Sequence, residues 1–421
     1  MIEKYYNGVI EQVAGGIGNV EHNSILVRYS NDFSIWDLES VNHYKDQTDI
    51  FFTCHEFSYN KIAEAYEPYL GLIRQMFHKY CSGTLEEFME ECDVYKLQRP
   101  VFESYFEKGF CERTEQILID EVEYEQERMH SSIVTMLQKL SEICPIVIVL
   151  NRFQLASKST MQLTNRLLQT KNKNIGIVLG VNDVQSIPEF AHEEWDAICE
   201  SMDDRNMVYH IGNAGRNMEP DVMDYYSDYE SDDGYRKLNN LVYFLDFDQA
   251  DHHLSKIERR IKFDNFTISE KKHYQLLLLQ IMVSVLQRDI AKALESCEDL
   301  EKLQDQEKEG AFYYNFWMAT SYMYLGKLEE AMIYVQKAKE CGEALGDDFL
   351  VFRAELLKAQ NQMSGWCNIF FCAQDIEISD KLIEKLNAYH YKNHLAHIYI
   401  YAYDNLSLIH ISEPTRPEPI S

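Results

Sequence analysis

The sequence lacks the features that define several common classes of protein. No G-x-x-x-x-G-K-[ST] phosphate-binding motif occurs, and none of the 10 cysteines forms a C-x-x-C pair. The N-terminus has no basic segment followed by an apolar core, and no apolar run reaches the roughly 20 residues of a membrane helix. Basic side chains are outnumbered 69 to 40 by acidic ones, which gives a formal net charge of −29. We therefore expect a cytoplasmic protein with free thiols, which binds neither nucleic acid nor membranes directly.

The composition that remains is that of a folded protein. Hydrophobic residues make up 46% of the 421-residue chain and aromatic residues 13%. This is too apolar for extensive disorder, and the length suffices for two or three domains with separate cores.

The N-terminal half alternates predicted strands with predicted helices. A helix is predicted over 3–13, another over 62–80 and a longer helical stretch over 85–143. The predicted strands are Ser24–Tyr29, Asp49–Cys54, Ile146–Leu150, Ile175–Val181 and Met207–Ile211. Strands that alternate with helices predict a parallel, doubly wound sheet, and so an α/β fold.

The order of these elements carries a resemblance. A leading helix and a first strand are followed by a second strand, an aromatic, proline-containing segment (Ala65-Tyr-Glu-Pro-Tyr-Leu70) and a third strand before a polar helix. Over residues 1–215 this order resembles the signal-transducing NTPases of the STAND class within the AAA+ superfamily. The resemblance implies a P-loop NTPase-like fold with a glycine-rich phosphate loop after the first strand.

The residues that would carry NTPase chemistry are missing. The segment Ser30–Asp37 has neither Gly nor Lys after the first strand and contains two carboxylates. The cluster Gly15-Gly-Ile-Gly18 precedes that strand and is interpreted as a helix-to-strand turn. Asn151 and Arg152 stand after the third strand, where the resemblance implies an acid that holds Mg²⁺ and an acid that orients water.

The sequence therefore predicts a degenerate nucleotide site. Asn151, Arg152 and Asn182 mark it. The resemblance places Asn182 as a polar sensor, whereas a residue that caps the strand end is the favoured interpretation. His55-Glu56 is a polar pair at a strand end. We nominate no metal ligand, and no catalytic residue because spacing alone supports no Ser/His/Asp or Cys/His nucleophile arrangement. No cofactor is assigned: ATP binding stays open, but the motifs do not support it.

An acidic linker is predicted over 216–240. Its core, Glu219–Gly234, lacks helical or strand periodicity, and it also lacks the ligand spacing of an EF-hand calcium loop. Asp246, Asp248 and Asp251 follow with His252-His253, and here helix capping is favoured over metal binding.

The C-terminal half has the pattern of helical hairpins. Phe312–Cys341 resembles a tetratricopeptide repeat (TPR), and Tyr274–Leu300 repeats the pattern. A third hairpin is predicted over Phe349–Phe371, and a fourth helix pair begins near Ser379. The packing positions that carry the resemblance are Ala293, Ala319, Tyr322, Gly326, Ala331 and Ala338. Small residues there allow the helices to cross closely, so an all-α, TPR-like superhelix that binds a protein or peptide is predicted for 241–405.

The final segment is of another kind. Leu406–Arg416 resembles a translated adapter used in preparing sequencing libraries, so 406–421 is predicted to be an artefact on a truncated chain. The favoured hypothesis is a signalling protein that controls a missing C-terminal effector, such as a diguanylate cyclase or a DNA-binding domain. A stand-alone TPR scaffold without enzymatic output is the first alternative, and an active ATPase is the second.

Overall fold

A computed structural model describes most of the chain up to residue 364. The described ranges are 2–18, 23–29, 35–45, 49–58, 61–95, 98–111, 122–182, 187–203, 208–211, 229, 231–263 and 266–364. The predictions that lie outside them concern residues 30–34, most of the acidic linker, the end of the third hairpin, the fourth helix pair and the segment 406–421.

The chain divides into two compact units. Met1–Glu112 and Glu121–Ile257 form the first, which we call the sheet unit. The second, which we call the helical unit, begins at Glu258 and contains the described residues that follow it, up to Ser364. The sheet unit therefore extends beyond residue 215, where the sequence suggested a boundary.

Five parallel strands form the sheet, in the spatial order β2-β3-β4-β1-β5. The strands are β1 (Ser24–Tyr29), β2 (Phe51–Glu56), β3 (Ile146–Asn151), β4 (Ile175–Asn182) and β5 (Val208–Ile211). Every residue of β3 and β4 is buried, as expected for inner strands of a sheet covered on both faces. The predicted α/β class with a parallel sheet is thus confirmed.

Ten helices accompany the sheet in the described part of the chain. They are α1 (Ile2–Gly15), α2 (Glu39–Lys45), α3 (Tyr69–Tyr80), α4 (Leu85–Glu91), α5 (Arg99–Lys108), α6 (Val122–Ile143), α7 (Lys158–Gln169), α8 (His192–Asp203), α9 (Asp232–Tyr243) and α10 (Phe247–Phe263). The last of these, α10, runs across the boundary of the sheet unit at Ile257. Helix α9 begins inside the predicted linker, with Ser231 as its N-cap.

Several predicted boundaries differ from the observed ones. Strand β2 lies two residues later than predicted, because its pairing with β3 extends to Glu56 opposite Asn151. The helix predicted over 62–80 begins only at Tyr69, since Pro68 disfavours the helical conformation for the residue before it. In the described part of the helical stretch predicted over 85–143, three separate helices are found, α4 to α6.

The helical unit contains consecutive helices that pack on one another. They are α11 (Glu270–Leu286), α12 (Ile290–Glu301), α13 (Gly310–Tyr324), α14 (Leu328–Leu345) and α15 (Asp348–Ser364). Helix α11 packs on α12, α13 on α14, and α14 on α15. Gly326 ends α13 with a φ of 73°, and Gly346 ends α14 with a φ of 66°, a conformation that glycine adopts without steric cost.

Among the described helices, none combines the length and the apolar character needed to cross a bilayer.

Candidate functional site

The connections of the sheet point to one end of β1. From β1 the chain continues to β2, which lies on the same side of β1 as β4 and forms the far edge of the sheet. From β4, the neighbour of β1, the chain continues to β5, which lies on the other side of β1. Such a reversal between adjacent parallel strands opens a crevice at their carboxyl ends, where ligands of α/β proteins commonly bind. Tyr29 ends β1 directly opposite Asn182, which ends β4. These two residues therefore mark the end of the sheet where a ligand crevice is expected.

Polar groups at this end of the sheet bind one another. The Tyr29 hydroxyl lies 2.8 Å from the Asn151 Oδ1 atom and donates a hydrogen bond to it. The backbone N–H of Asn182 donates to the Gln154 Oε1 atom at 3.2 Å. Asn151 and Gln154 are fully buried, and Asn182 is 6% exposed. Two of the predicted site residues thus take part in buried hydrogen bonds within the core.

Because Gly180 has no side chain, the Asn151 amide and the Tyr6 hydroxyl can lie close to the backbone of β4. A Cβ atom at this position would lie 2.6 Å from the Asn151 Oδ1 atom and closer still to the Tyr6 hydroxyl. Burial raises the pKa of Tyr6 well above its usual value, and Tyr29 and Glu56 raise it further. The Tyr6 hydroxyl is therefore neutral at physiological pH.

Arg152, the third predicted residue, belongs to an ion pair. Its Nη1 atom lies 2.9 Å from the Glu56 Oε1 atom, and the other carboxylate oxygen accepts a hydrogen bond from the backbone N–H of Ile35 at 3.0 Å. The two side chains are only 17% and 10% exposed. Sequence reasoning gave Glu56 no role; its only signal was an acidic residue at the end of a predicted strand.

A second charged cluster lies beside β2. The carboxylate of Glu64 contacts the Arg236 Nη2 atom at 2.7 Å and accepts from the Asn240 Nδ2 atom at 3.2 Å. The Nε2 atom of His55 lies 3.5 Å from the Glu67 Oε1 atom. Burial raises the pKa of both glutamates, and it lowers the pKa of His55 to about 4. His55 is consequently neutral at pH 7.

Helix α9 ties this cluster to the end of α5. The guanidinium of Arg236 donates to the Gly109 carbonyl at 2.8 Å. The amide of Asn239 donates to the Cys111 carbonyl at 2.6 Å, while the Cys111 N–H donates to the Asn240 Oδ1 atom at 3.0 Å. These contacts join residues about 130 positions apart, so they could not be predicted from local sequence patterns.

The start of α7 completes the described polar region. Ser157 caps the helix by accepting a hydrogen bond from the Thr160 N–H, and Asp246 accepts one from the Ser159 N–H at 2.8 Å. Asp246 also accepts from the Gln249 N–H at 3.4 Å, which agrees with the capping role favoured for this residue. Burial raises the pKa of Asp246 to about 6.

The predicted repeat positions lie within the helical unit. The four alanines are at most 1% exposed; they are Ala293, Ala319, Ala331 and Ala338. Tyr322 stacks on Tyr334 with 5.5 Å between ring centroids, and Gly326 occupies the turn between α13 and α14. The predicted positions therefore contribute to packing between neighbouring helices.

Among the described residues, no group of three or more His, Cys, Asp or Glu side chains is arranged to bind a metal ion.

Comparison with protein-family models, with curated proteins and with solved structures finds no match to this chain.

Proposed function

We propose that this chain is a cytoplasmic regulatory protein with a non-hydrolysing NTPase-like module and a partner-binding helical unit. The end of β3 carries the first part of the proposal. Asn151 presents an amide there, buried and hydrogen-bonded to Tyr29. An amide oxygen lacks the negative charge that anchors Mg²⁺ and cannot act as a general base. The nearby carboxylate of Glu56 is already bound to Arg152.

The topology of the sheet supports an NTPase-like origin. The strand order reverses next to β1, and such a reversal is where α/β proteins commonly bind ligands, at the carboxyl ends of the strands. The resemblance to STAND-class proteins implies a phosphate loop at the same place. Because the sequence after Tyr29 has no Gly or Lys up to Asp37, we propose that the module retains the architecture without phosphate chemistry.

The helical hairpins support the second part of the proposal. Helices α11 to α15 follow one another with short connections, and buried alanines lie at their contacts. TPR-like hairpins cover each other's apolar faces by stacking, and the concave face of such a stack is suited to peptides or partner helices. We propose a protein or peptide partner for this surface. Control of a diguanylate cyclase or a DNA-binding output stays a prediction.

The first part is tested with ATP and Mg²⁺. Isothermal titration calorimetry of the full chain should detect no binding, and no phosphate should be released. Nucleotide binding in the micromolar range, together with phosphate release that Arg152→Gln abolishes, would instead favour the active ATPase.

The second part is tested by changing exposed apolar side chains of the helical unit. Leu325 and Ile333 are 46% and 57% exposed, so replacing both with Ser should leave the fold intact. A partner captured by the wild-type chain and identified by mass spectrometry should bind the double variant more weakly in a purified system. Ile143→Ser, at a 53% exposed position of the sheet unit, is the matched control and should bind normally. Equal affinity of all three proteins would exclude this surface.

A further inference from the structure

The contact between Glu56, Arg152 and Ile35 joins three separate segments of the chain. Ile35 begins the short 3-10 helix Ile35–Asp37 after β1, Glu56 ends β2, and Arg152 follows β3. Glu56 pairs in register with Asn151, which places its side chain beside the next residue, Arg152. The carboxylate thus contacts donors in two different segments, the Arg152 Nη1 atom at 2.9 Å and the Ile35 N–H at 3.0 Å.

The surroundings make this contact stronger than an ordinary surface ion pair. Glu56 and Arg152 are 10% and 17% exposed, so solvent screens their charges less than it would at the surface. The hydrogen bond from Ile35 is charge-assisted, because its acceptor is a carboxylate. The Phe57 N–H also donates to the Asn151 carbonyl at 3.1 Å, which continues the pairing of the two segments past the strand ends.

A bound phosphate can perform the same task in a nucleotide site, since its oxygens accept hydrogen bonds from donors on separate loops. Here a side chain of the protein supplies the anion. We propose that Glu56 is a built-in latch that holds the segment beginning at Ile35 against Arg152, so that this edge of the sheet keeps one conformation without a bound nucleotide. This inference rests on the proposed non-hydrolysing module. It adds an explanation of how the carboxyl ends of β2 and β3 stay ordered without a nucleotide.

Hydrogen exchange of the full chain, followed by mass spectrometry, tests the latch. In the absence of nucleotide, the amide of Ile35 should be protected in the wild-type protein. Glu56→Ala removes both interactions and should speed exchange of a peptide starting before Ile35 by about tenfold or more. Glu56→Gln keeps the size and one acceptor, so it should give a smaller increase.

Two controls make the result interpretable. Glu39→Gln changes the net charge by the same amount at an exposed residue in the first turn of α2, and it should leave the exchange of Ile35 unchanged. Peptides from β4 should stay protected in every variant, which shows that the sheet is intact. If Glu56→Ala fails to fold, Glu56→Gln decides.

Unchanged exchange at Ile35 in the folded Glu56 variants would overturn the latch. The proposed function fails differently: it is contradicted if ATP with Mg²⁺ binds the wild-type chain and slows exchange at Ile35. The two failures are separate, because the first needs no nucleotide and the second needs no variant.

Discussion

Replacing Gly180 with Ala is expected to destabilise the sheet unit strongly. The new Cβ atom would lie 2.6 Å from the Asn151 Oδ1 atom and closer still to the Tyr6 hydroxyl. Both neighbouring side chains are fully buried, and Tyr6 is rigid beyond its two side-chain torsions. Overpacking of a core costs about 1–3 kcal/mol. A displaced Asn151 would also weaken its hydrogen bond with Tyr29, at about 1 kcal/mol.

The expected loss is therefore about 2–4 kcal/mol, or a fall of roughly 4–16 °C in the melting temperature of a unit this size. Thermal unfolding followed by near-ultraviolet circular dichroism measures it. The matched control is Gly71→Ala in α3, where a Cβ atom would have no heavy atom within 4 Å. Alanine in a helix is favoured over glycine by about 0.5–1 kcal/mol, so this variant should melt slightly higher. Equal melting temperatures for the two variants would refute the packing argument.

Three further changes probe other elements. Thr84→Ala removes the capping box that Thr84 forms with Glu87 at the start of α4, and urea unfolding should show a loss of about 1 kcal/mol. Gly342→Ala would place a Cβ atom 2.9 Å from the backbone nitrogen of Val351, so the same assay should show about 1–3 kcal/mol lost where α14 meets α15. Burial lowers the pKa of His130 from 6.5 to about 4. As the pH falls, the unfolded chain therefore takes up a proton at this residue before the folded chain does. Lowering the pH from 8 to 5 should reduce the free energy of unfolding by about 2 kcal/mol. His130→Phe should remove that part of the pH dependence; an unchanged pH dependence would show that His130 is not buried in its neutral form.

The strands were predictable because their signal is local. Ile146–Asn151 and Ile175–Asn182 are near-continuous apolar runs, and burial on both faces of a parallel sheet requires such runs. The end of β2 was harder to predict, because His55 and Glu56 are polar. Only their pairing with Leu150 and Asn151, almost a hundred residues away, makes them part of a strand.

The candidate site was predictable only in part, for a related reason. Asn151, Arg152 and Asn182 follow predicted strands, and in a parallel sheet the carboxyl ends of the strands lie at the same end of the sheet. Their partners come from elsewhere in the chain: Tyr29 from β1, Glu56 from β2 and Gln154 from the turn after β3. The sequence alone shows that an amide stands at the end of β3, but it could not show which groups surround that amide.

These partners bear on the proposed absence of nucleotide chemistry. A nucleotide site needs donors and charges that stay available to a ligand, at a cost in stability that the ligand offsets when it binds. In this sheet, the Asn151 amide accepts from Tyr29 and the Arg152 guanidinium binds Glu56. A site whose polar groups already bind one another gains less from a ligand, because each new contact must replace an existing one. For this reason we expect the carboxyl ends of β2 and β3 to be ordered without ATP. The rate of hydrogen exchange at the Ile35 amide measures that order directly.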